Sequence, residues 1–418
     1  MASLARIRIL SLFFHPRSHV TAVGGAEKRF IEVLRLLLER GNLEISVVES
    51  TPSLLTSFRD RLREVKPLSG FNLFVGSYGW FSIYFEWILW MVKAFASCFN
   101  IAYHRKYDLI LASNNNIPNI LLSYIVSRLT RTPLCVIVHH LEGLIGDEVG
   151  IIKTYYTCRY KGFGRLFSLV RVLALLTITM ILRNVEACIS VSASIARILA
   201  KLGVPERIIY VSGNGINLEY IDSFVALSEE KIYDAVFVGR ISREKGVYNL
   251  LNVWLKIAGF RSASRLIMIG SGPEINDVKK SMSKLGLNKN VILRGPCPDS
   301  QMYAIMKASK LFVLPSIFEG WGLAVAEALA CGLPVVCYDI PSLREVFGRC
   351  KSVFFVPVND LEALRSTILS LLKRTDFNDL AEEARSYVER FSWEAVAEKD
   401  LEIIKNILGS VDSEVAWQ

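Results

Sequence analysis

A chain of 418 residues, 52% apolar and 21% charged, is too long for one ordinary core and too apolar for a disordered or fibrous protein; about two or three domains are expected. The net charge of +9 is carried by residues 1–225, with 25 basic and 16 acidic residues, while residues 226–418 hold 24 of each, so two domains with different partners are expected. Eight cysteines without C-x-x-C spacing exclude a zinc module and a disulfide scaffold, and with no N-x-S/T sequon the cytosol is the expected compartment.

From the N-terminus, the apolar run Ile7–Phe14 has a strand's length and ends at His15-Pro16, so Met1–Leu10 does not read as a signal peptide. No uninterrupted apolar stretch reaches spanning length, and no transmembrane helix is expected. Short apolar runs alternate with helical stretches, the pattern of parallel α/β domains. Strands are predicted at Ile7–Phe14, Glu44–Glu49, Leu109–Ala112, Leu134–Val138, Ala187–Val191 and Ile208–Val211. After the polar stretch Asn217–Tyr233 come Ala235–Val238, Arg265–Ile269, Val291–Arg294, Leu311–Leu314, Val335–Tyr338 and Val353–Val356. Two doubly wound parallel sheets follow, whose ligands sit beyond the carboxyl ends of strands and at helix N-termini.

The residues after each strand are therefore the candidates. Gly24-Gly25-Ala26-Glu27 opens a helix, and its glycines let backbone N–H groups approach a phosphate; an ordinary tight turn is the alternative. His139, with His140 beside it, ends a strand and could accept a proton or bond a sugar hydroxyl, or be a histidine satisfied by nearby backbone. Gly239-Arg240…Glu244-Lys245-Gly246 places a guanidinium and an ammonium where they could clamp a diphosphate; the alternative is a solvated basic loop. Gly270-Ser-Gly272-Pro273 lacks the further glycine of a dinucleotide fingerprint and reads as a plain turn into a helix.

The strongest signal is Glu319-Gly320-Trp321-Gly322-Leu323…Glu327, two acids flanking a Gly-rich loop and a helix start. Gly322 and Leu323 can offer N–H groups to phosphate, and Glu327 lies on an Ala- and Leu-rich face, where an acid is costly unless it meets donors such as sugar hydroxyls. Capping or solvent exposure is the structural alternative.

In this order and spacing, these motifs, with Asn214-Gly215-Ile216 and Phe391-Ser392-Trp393-Glu394, resemble the retaining glycosyltransferases of family 4, with the GT-B fold, over nearly the whole chain. The resemblance implies two Rossmann-like domains facing a central cleft, residues 1–225 binding the acceptor and 226–392 a nucleotide sugar, with 393–418 a helix crossing back to the first domain. It implies that Arg240 and Lys245 neutralise the departing diphosphate and that Glu327 holds the ribose, Glu319 the sugar. Gly25 would reach the phosphates from the opposite domain, and His139 would bond the donor sugar near its anomeric carbon. No cofactor or metal is implied, the substrate being a UDP- or GDP-sugar, and the chain lacks a D-x-D motif. Retention would proceed by front-face attack assisted by the leaving phosphate, with Glu319 not a nucleophile. Trp321 stands where the family usually has Phe or a medium apolar residue, which would narrow the donor pocket.

For the acceptor, Trp80–Tyr103 reads as a helix that is apolar except for a stripe of Ser82, Glu86, Lys93, Ser97 and Asn100, either a core helix exposing that stripe or one lying in a membrane interface. Leu166–Leu182, with Arg171 its one charge, is expected to pack on the sheet. With the basic excess of the same half and the cluster Arg59, Arg61, Arg63 and Lys66, the expectation is a peripheral protein on the cytoplasmic face of an anionic membrane, acting on a lipid or lipid-linked saccharide. Nucleic acid is not expected, since no helix-turn-helix or aromatic-interleaved basic motif is present. A soluble acceptor stays open. A sugar-nucleotide epimerase of the same fold would need further acids and histidines, and a non-catalytic nucleotide-sugar-binding subunit would not need both cations and both glutamates.

Overall fold

The computed structural model describes residues 6–14, 24–40, 42–49, 55–67, 91–98, 100, 106–141, 165–228 and 230–415. They fall into two compact units, one drawing on Met1–Leu144, Val149–Asn214 and Trp393–Gln418, the other on Gly215–Ser392.

The first unit holds a seven-stranded parallel sheet in the order β3-β2-β1-β4-β5-β6-β7. Its strands are β1 Ile7–Phe13, β2 Leu43–Glu49, β3 Glu64–Pro67, β4 Leu109–Ala112, β5 Leu134–Val138, β6 Ala187–Ser190 and β7 Ile209–Val211. Inner strands such as β4 and β5 are buried along their whole length, which is why they read as continuous apolar runs. The strand β3 escapes the apolar pattern because Glu64-Val-Lys-Pro is polar and sits at the sheet edge, where Pro67 needs no ladder partner for its nitrogen.

The second unit holds six parallel strands in the order β10-β9-β8-β11-β12-β13. These are β8 Tyr233–Val238, β9 Leu266–Ile269, β10 Val291–Gly295, β11 Ser309–Leu314, β12 Val335–Tyr338 and β13 Val353–Val356. Each sheet reverses its order once, between β1 and β4 in the first unit and between β8 and β11 in the second. In open α/β sheets ligands bind beyond the strand ends at such a reversal.

The join lies between Asn214 and Gly215, not at residue 225. The reason is local. The N–H of Ile216 donates to the Phe391 carbonyl at 2.8 Å and Ile216 bridges Ser392, while Asp222 pairs with Arg385 at 2.8 Å. Lys307 Nζ donates to the carbonyls of Ile221 and Phe224, so residues 216–224 are tied to the second unit throughout. The helix Trp393–Val415 belongs to the first unit and packs on Gly25–Glu39. Between them Arg29 and Asp400 form a fully buried ion pair at 2.9 Å.

Most of Trp80–Tyr103 lies outside the described residues, of which 91–98 are helical. Leu166–Leu182 falls within the helix Arg165–Leu182, which packs beside the helix Ile117–Thr130. In the basic cluster, Arg61 is paired with Glu39 and Arg63 with Glu44. The seven cysteines among the described residues are buried, and none is in a disulfide.

Candidate active site

At the reversal of the second sheet, the loops after β8 and β11 are joined by backbone. The N–H of Ile317 donates to the Glu244 carbonyl at 2.9 Å. Gly246 has φ +69°, and a Cβ there would lie 2.0 Å from the Pro315 carbonyl oxygen, so only glycine permits this approach. The approach brings Lys245 Nζ to 2.6 Å from Glu319 Oε1, half-buried on both sides. Ser342 Oγ donates to the Glu319 carbonyl at 2.8 Å and fixes the loop. Arg240 reaches Glu244 at 3.3 Å. The two candidate phosphate cations are thus each paired with a carboxylate of their own unit. A multivalent anion could compete for both.

Gly270-Ser-Gly272 is more than a plain turn into a helix. A Cβ on Gly270 would fall 1.9 Å from the Gly239 carbonyl oxygen, and one on Gly272 would fall 2.3 Å from that of Ile241. The two glycines let the β9 loop cross directly over the β8 loop that carries Arg240. Beyond the crossing, Glu274 accepts from Tyr248 at 2.5 Å and from Arg243 at 3.3 Å.

The helix Leu323–Ala330 starts at Gly322, whose φ of +100° suits glycine, and no side chain caps it. Its first turn therefore directs N–H groups and the positive end of the helix dipole outward, as an anion requires. Glu327, one turn in, is buried and accepts from the Tyr303 hydroxyl at 2.9 Å. Burial, followed by the adjacent Glu327 carboxylate, pushes the Tyr303 phenol well up, so it stays a donor at any ordinary pH. Tyr303 is a site residue that the sequence did not signal. Trp321 does not narrow a pocket: its indole is buried edge-on against Phe347 at 5.5 Å and Phe391 at 5.1 Å, as core.

In the first unit, Gly25 is the first residue of Gly25–Glu39, preceded by Gly24 in extended conformation, and no side chain caps this helix either. His139 follows β5 and is buried. Its Nε2 lies 3.3 Å from the Ser113 carbonyl, which can only accept, so Nε2 carries the proton and Nδ1 the lone pair. Burial, then the positive charge of Arg29, lowers the His139 pKa to about 3. The ring is therefore a neutral hydrogen-bond acceptor and not a base that is charged near neutrality.

Asn115 holds the His139–His140 turn from two directions. Its Oδ1 accepts from the His139 N–H at 3.2 Å, and its Nδ2 donates to the His140 carbonyl at 2.7 Å. Asn115 follows β4, one of the two strands at the reversal of this sheet. Arg29 bonds Ser212 Oγ at 2.7 Å and the Gly213 carbonyl at 3.2 Å besides Asp400. Neither Asn115 nor Arg29 was signalled by sequence pattern. Of the expected site residues, Gly25 and His139 lie in the first unit, and Arg240, Lys245, Glu319, Gly322, Leu323 and Glu327 in the second.

Residues 23–220 match the family model described as Glycosyltransferase Family 4, and residues 221–390 the model described as Glycosyl transferases group 1. Among curated relatives, the O-antigen chain mannosyltransferase B of Escherichia coli is 31% identical over 163 residues, 38% of this chain and 42% of that protein. The match thus spans less than half of that relative's length. Among solved structures, HepE of Anabaena in complex with UDP and glucose covers 94% of this chain and 99% of its own, with TM-score 0.68 at 18% identity. Sucrose-phosphate synthase from Thermosynechococcus elongatus covers 97% and 100%, with TM-score 0.71 at 20% identity. At these identities the likeness is one of fold, and the two Rossmann-like units have the GT-B architecture. Matched over residues 23–390 by two family models that abut at residue 220, the chain belongs to the group 1, family 4 glycosyltransferases.

Proposed function

We propose that the chain moves a sugar, with retention of configuration, from a UDP- or GDP-sugar to a membrane lipid or lipid-linked saccharide, at the cytoplasmic face of the membrane and without a metal ion. The observation that carries this reading is the pair of loops at the reversal of the second sheet. They set Arg240, Lys245 and an uncapped helix start beside Glu319 and the Tyr303-bound Glu327. The second unit takes the donor and the first the acceptor.

In this mechanism Arg240 forks onto the diphosphate, and Lys245 exchanges part of its bond to Glu319 for a phosphate oxygen. The Gly322 and Leu323 N–H groups meet the same charge, which is why no metal is needed to stabilise the leaving group. Glu327 keeps an acceptor for the ribose hydroxyls while Tyr303 fixes its rotamer, and Gly25 serves the phosphates from the first unit. The bond from the anomeric carbon to the phosphate oxygen breaks. The acceptor hydroxyl adds to the same face, and its proton passes to the leaving phosphate. His139 accepts from a donor-sugar hydroxyl through Nδ1. Glu319, engaged by Lys245, orients the sugar and forms no covalent bond to it. The O-antigen activity in the name of the Escherichia coli relative and the UDP and glucose bound by HepE are consistent with such a donor and a glycan acceptor.

The test is transfer of radiolabel from UDP- and GDP-sugars to a lipid extract by the purified protein. Labelled lipid is expected, and its yield is expected to persist in EDTA. Transfer abolished by EDTA and restored by magnesium refutes the metal-free part; label appearing only in water-soluble products refutes the lipid acceptor.

A further inference from the structure

Both glutamates of the proposed donor site lead, through aromatic rings, to the place where the chain enters and leaves the second unit. The main stretch of that unit begins at Gly215 and ends at Ser392. The loop Glu319–Gly322 rests on the short helix Pro341–Phe347. Ser342 Oγ holds the Glu319 carbonyl, and a Cβ on Gly322 would fall 2.4 Å from Leu343 and 3.0 Å from Phe347. Trp321, 5% exposed, is wedged between the rings of Phe347 and Phe391. Phe391 also lies edge-on to Phe347 at 6.0 Å and to Tyr387 at 5.9 Å, so these rings pack as one cluster behind the loop.

Glu327 has a parallel connection. Tyr303, whose hydroxyl it accepts, stacks on Phe224 at 5.7 Å. Lys307 Nζ donates to the carbonyls of Phe224 and Ile221, the latter in the helix Leu218–Asp222 that follows Ile216. The two connections meet at one hydrogen bond. It runs from the Ile216 N–H to the Phe391 carbonyl at 2.8 Å, beside the bridge between Ile216 and Ser392.

Packed rings pass on displacement because an interior at crystal-like density has no slack. Opening the Ile216–Phe391 bond releases the Phe391 backbone, its ring no longer backs Trp321, and the loop Glu319–Gly322 loses one wall of its seat. A diphosphate that draws on Lys245 beside Glu319 and on the Gly322 and Leu323 N–H groups binds the seated loop better than the released one. It must then suppress the opening, and by reciprocity a change that favours the opening must weaken the diphosphate.

We infer that Trp321 is a positioning residue that couples nucleotide binding at the loop Glu319–Gly322 to the Ile216–Phe391 hydrogen bond. This deepens the donor-site reading of the proposed function and rests on it. The indole suits the task because it touches Phe347 and Phe391 at once, which a small aliphatic side chain could not do.

The experiment is hydrogen exchange of the Ile216 amide in the full chain, resolved by overlapping peptides, with and without saturating UDP or GDP, alongside calorimetry with the same nucleotides. The wild type is compared with Trp321→Leu, Trp321→Phe, Phe391→Leu and the double variant Trp321→Leu, Phe391→Leu. Nucleotide is expected to slow the wild-type amide about fivefold or more. That protection should fall to about twofold in Trp321→Leu, where the Tyr303 connection alone is left, and be largely kept in Trp321→Phe. Nucleotide affinity should drop about fivefold in Trp321→Leu and nearly as much in Phe391→Leu, with no further loss in the double variant. A merely structural tryptophan would lower the melting temperature in Trp321→Leu and leave the nucleotide-dependent protection as it was. If Trp321→Leu does not melt cooperatively, Phe391→Leu, altered outside the donor loop, carries the same comparison. Nucleotide that binds without slowing the wild-type amide, or that slows it equally in the variants, overturns the coupling and leaves the donor-site reading standing. Failure of both UDP and GDP to bind the wild type overturns the donor-site reading and the coupling with it.

Discussion

His139 owes its state to its neighbours. With Nε2 committed to the Ser113 carbonyl and the turn gripped by Asn115, the ring presents a fixed lone pair. Removing the Asn115 amide deletes two hydrogen bonds worth about 1 kcal/mol each, so Asn115→Ala is expected to lower kcat about tenfold or more through His139. In a His139→Ala background the same change should cost almost nothing, since residues acting as one unit are not additive. A double-mutant cycle on sugar transfer measures this, with nucleotide binding as the control expected to stay constant. Full additivity would show that Asn115 acts elsewhere. A second residue sets a pH dependence. Glu49 ends β2 fully buried, neither oxygen has a hydrogen-bond partner among the described residues, and burial outweighs the attraction of Arg59 to raise its pKa from 4.5 to about 7. The folded state thus holds this proton more tightly than the unfolded chain. Its contribution is present below about pH 4.5 and is lost as pH rises to about 7, flattening above. Urea denaturation at pH 5 and 8 is expected to show a smaller fall in stability for Glu49→Gln than for wild type.

The elements that build the proposed donor site work as a pair of loops, and their coupling depends on one backbone angle. Gly246→Ala places a methyl against the Pro315 carbonyl at a φ that alanine avoids, so the loops after β8 and β11 must part. The expected result is a nucleoside diphosphate affinity about tenfold or more weaker, approaching that of Lys245→Ala, because the ammonium loses its register with Glu319. Calorimetry with UDP and GDP decides it; unchanged affinity for both would remove these loops from the donor site. Elements and loops differ in how openly the sequence displays them. Central strands such as Val335–Tyr338 are legible because burial on both faces demands apolar residues throughout, whereas the edge strand Glu64–Pro67 has no such demand and is invisible. The Glu319 and Glu327 spacing is likewise legible, since one loop and one helix turn carry both. Tyr303 and Asn115 are not: each meets its partner 24 residues away in sequence, Tyr303 between two helices and Asn115 beyond two neighbouring strands, which only the fold sets side by side. Trp321 misleads for the same reason, its direction being settled by Phe347 and Phe391 rather than by the loop it belongs to.

At the scale of the molecule, the first unit is discontinuous. It is held to its last helix by Arg29 and Asp400, a pair with both side chains out of solvent. Such a pair is a weak gain as a whole but a heavy loss when halved, about 3–5 kcal/mol, because the remaining charge stays buried. Asp400→Ala is therefore expected to destabilise the first unit selectively, while the double variant Arg29→Met, Asp400→Leu should recover much of the loss. Hydrogen exchange read separately over β4–β6 and over β8–β12 checks this; equal loosening of both units would mean that the helix Trp393–Val415 supports them alike.

That helix also fixes an order of assembly during synthesis. The segment that completes the N-terminal sheet's helical cover is made after the second unit's last strand, so the second unit has everything it needs while the first is still waiting on the ribosome. Through that interval Arg29 has no buried carboxylate at residue 400 to meet, and the face of Gly25–Glu39 that the helix Trp393–Val415 will cover is open to chaperones and to other nascent chains. A chain stalled or cut before Trp393 would thus release a finished second unit joined to an unfinished first one.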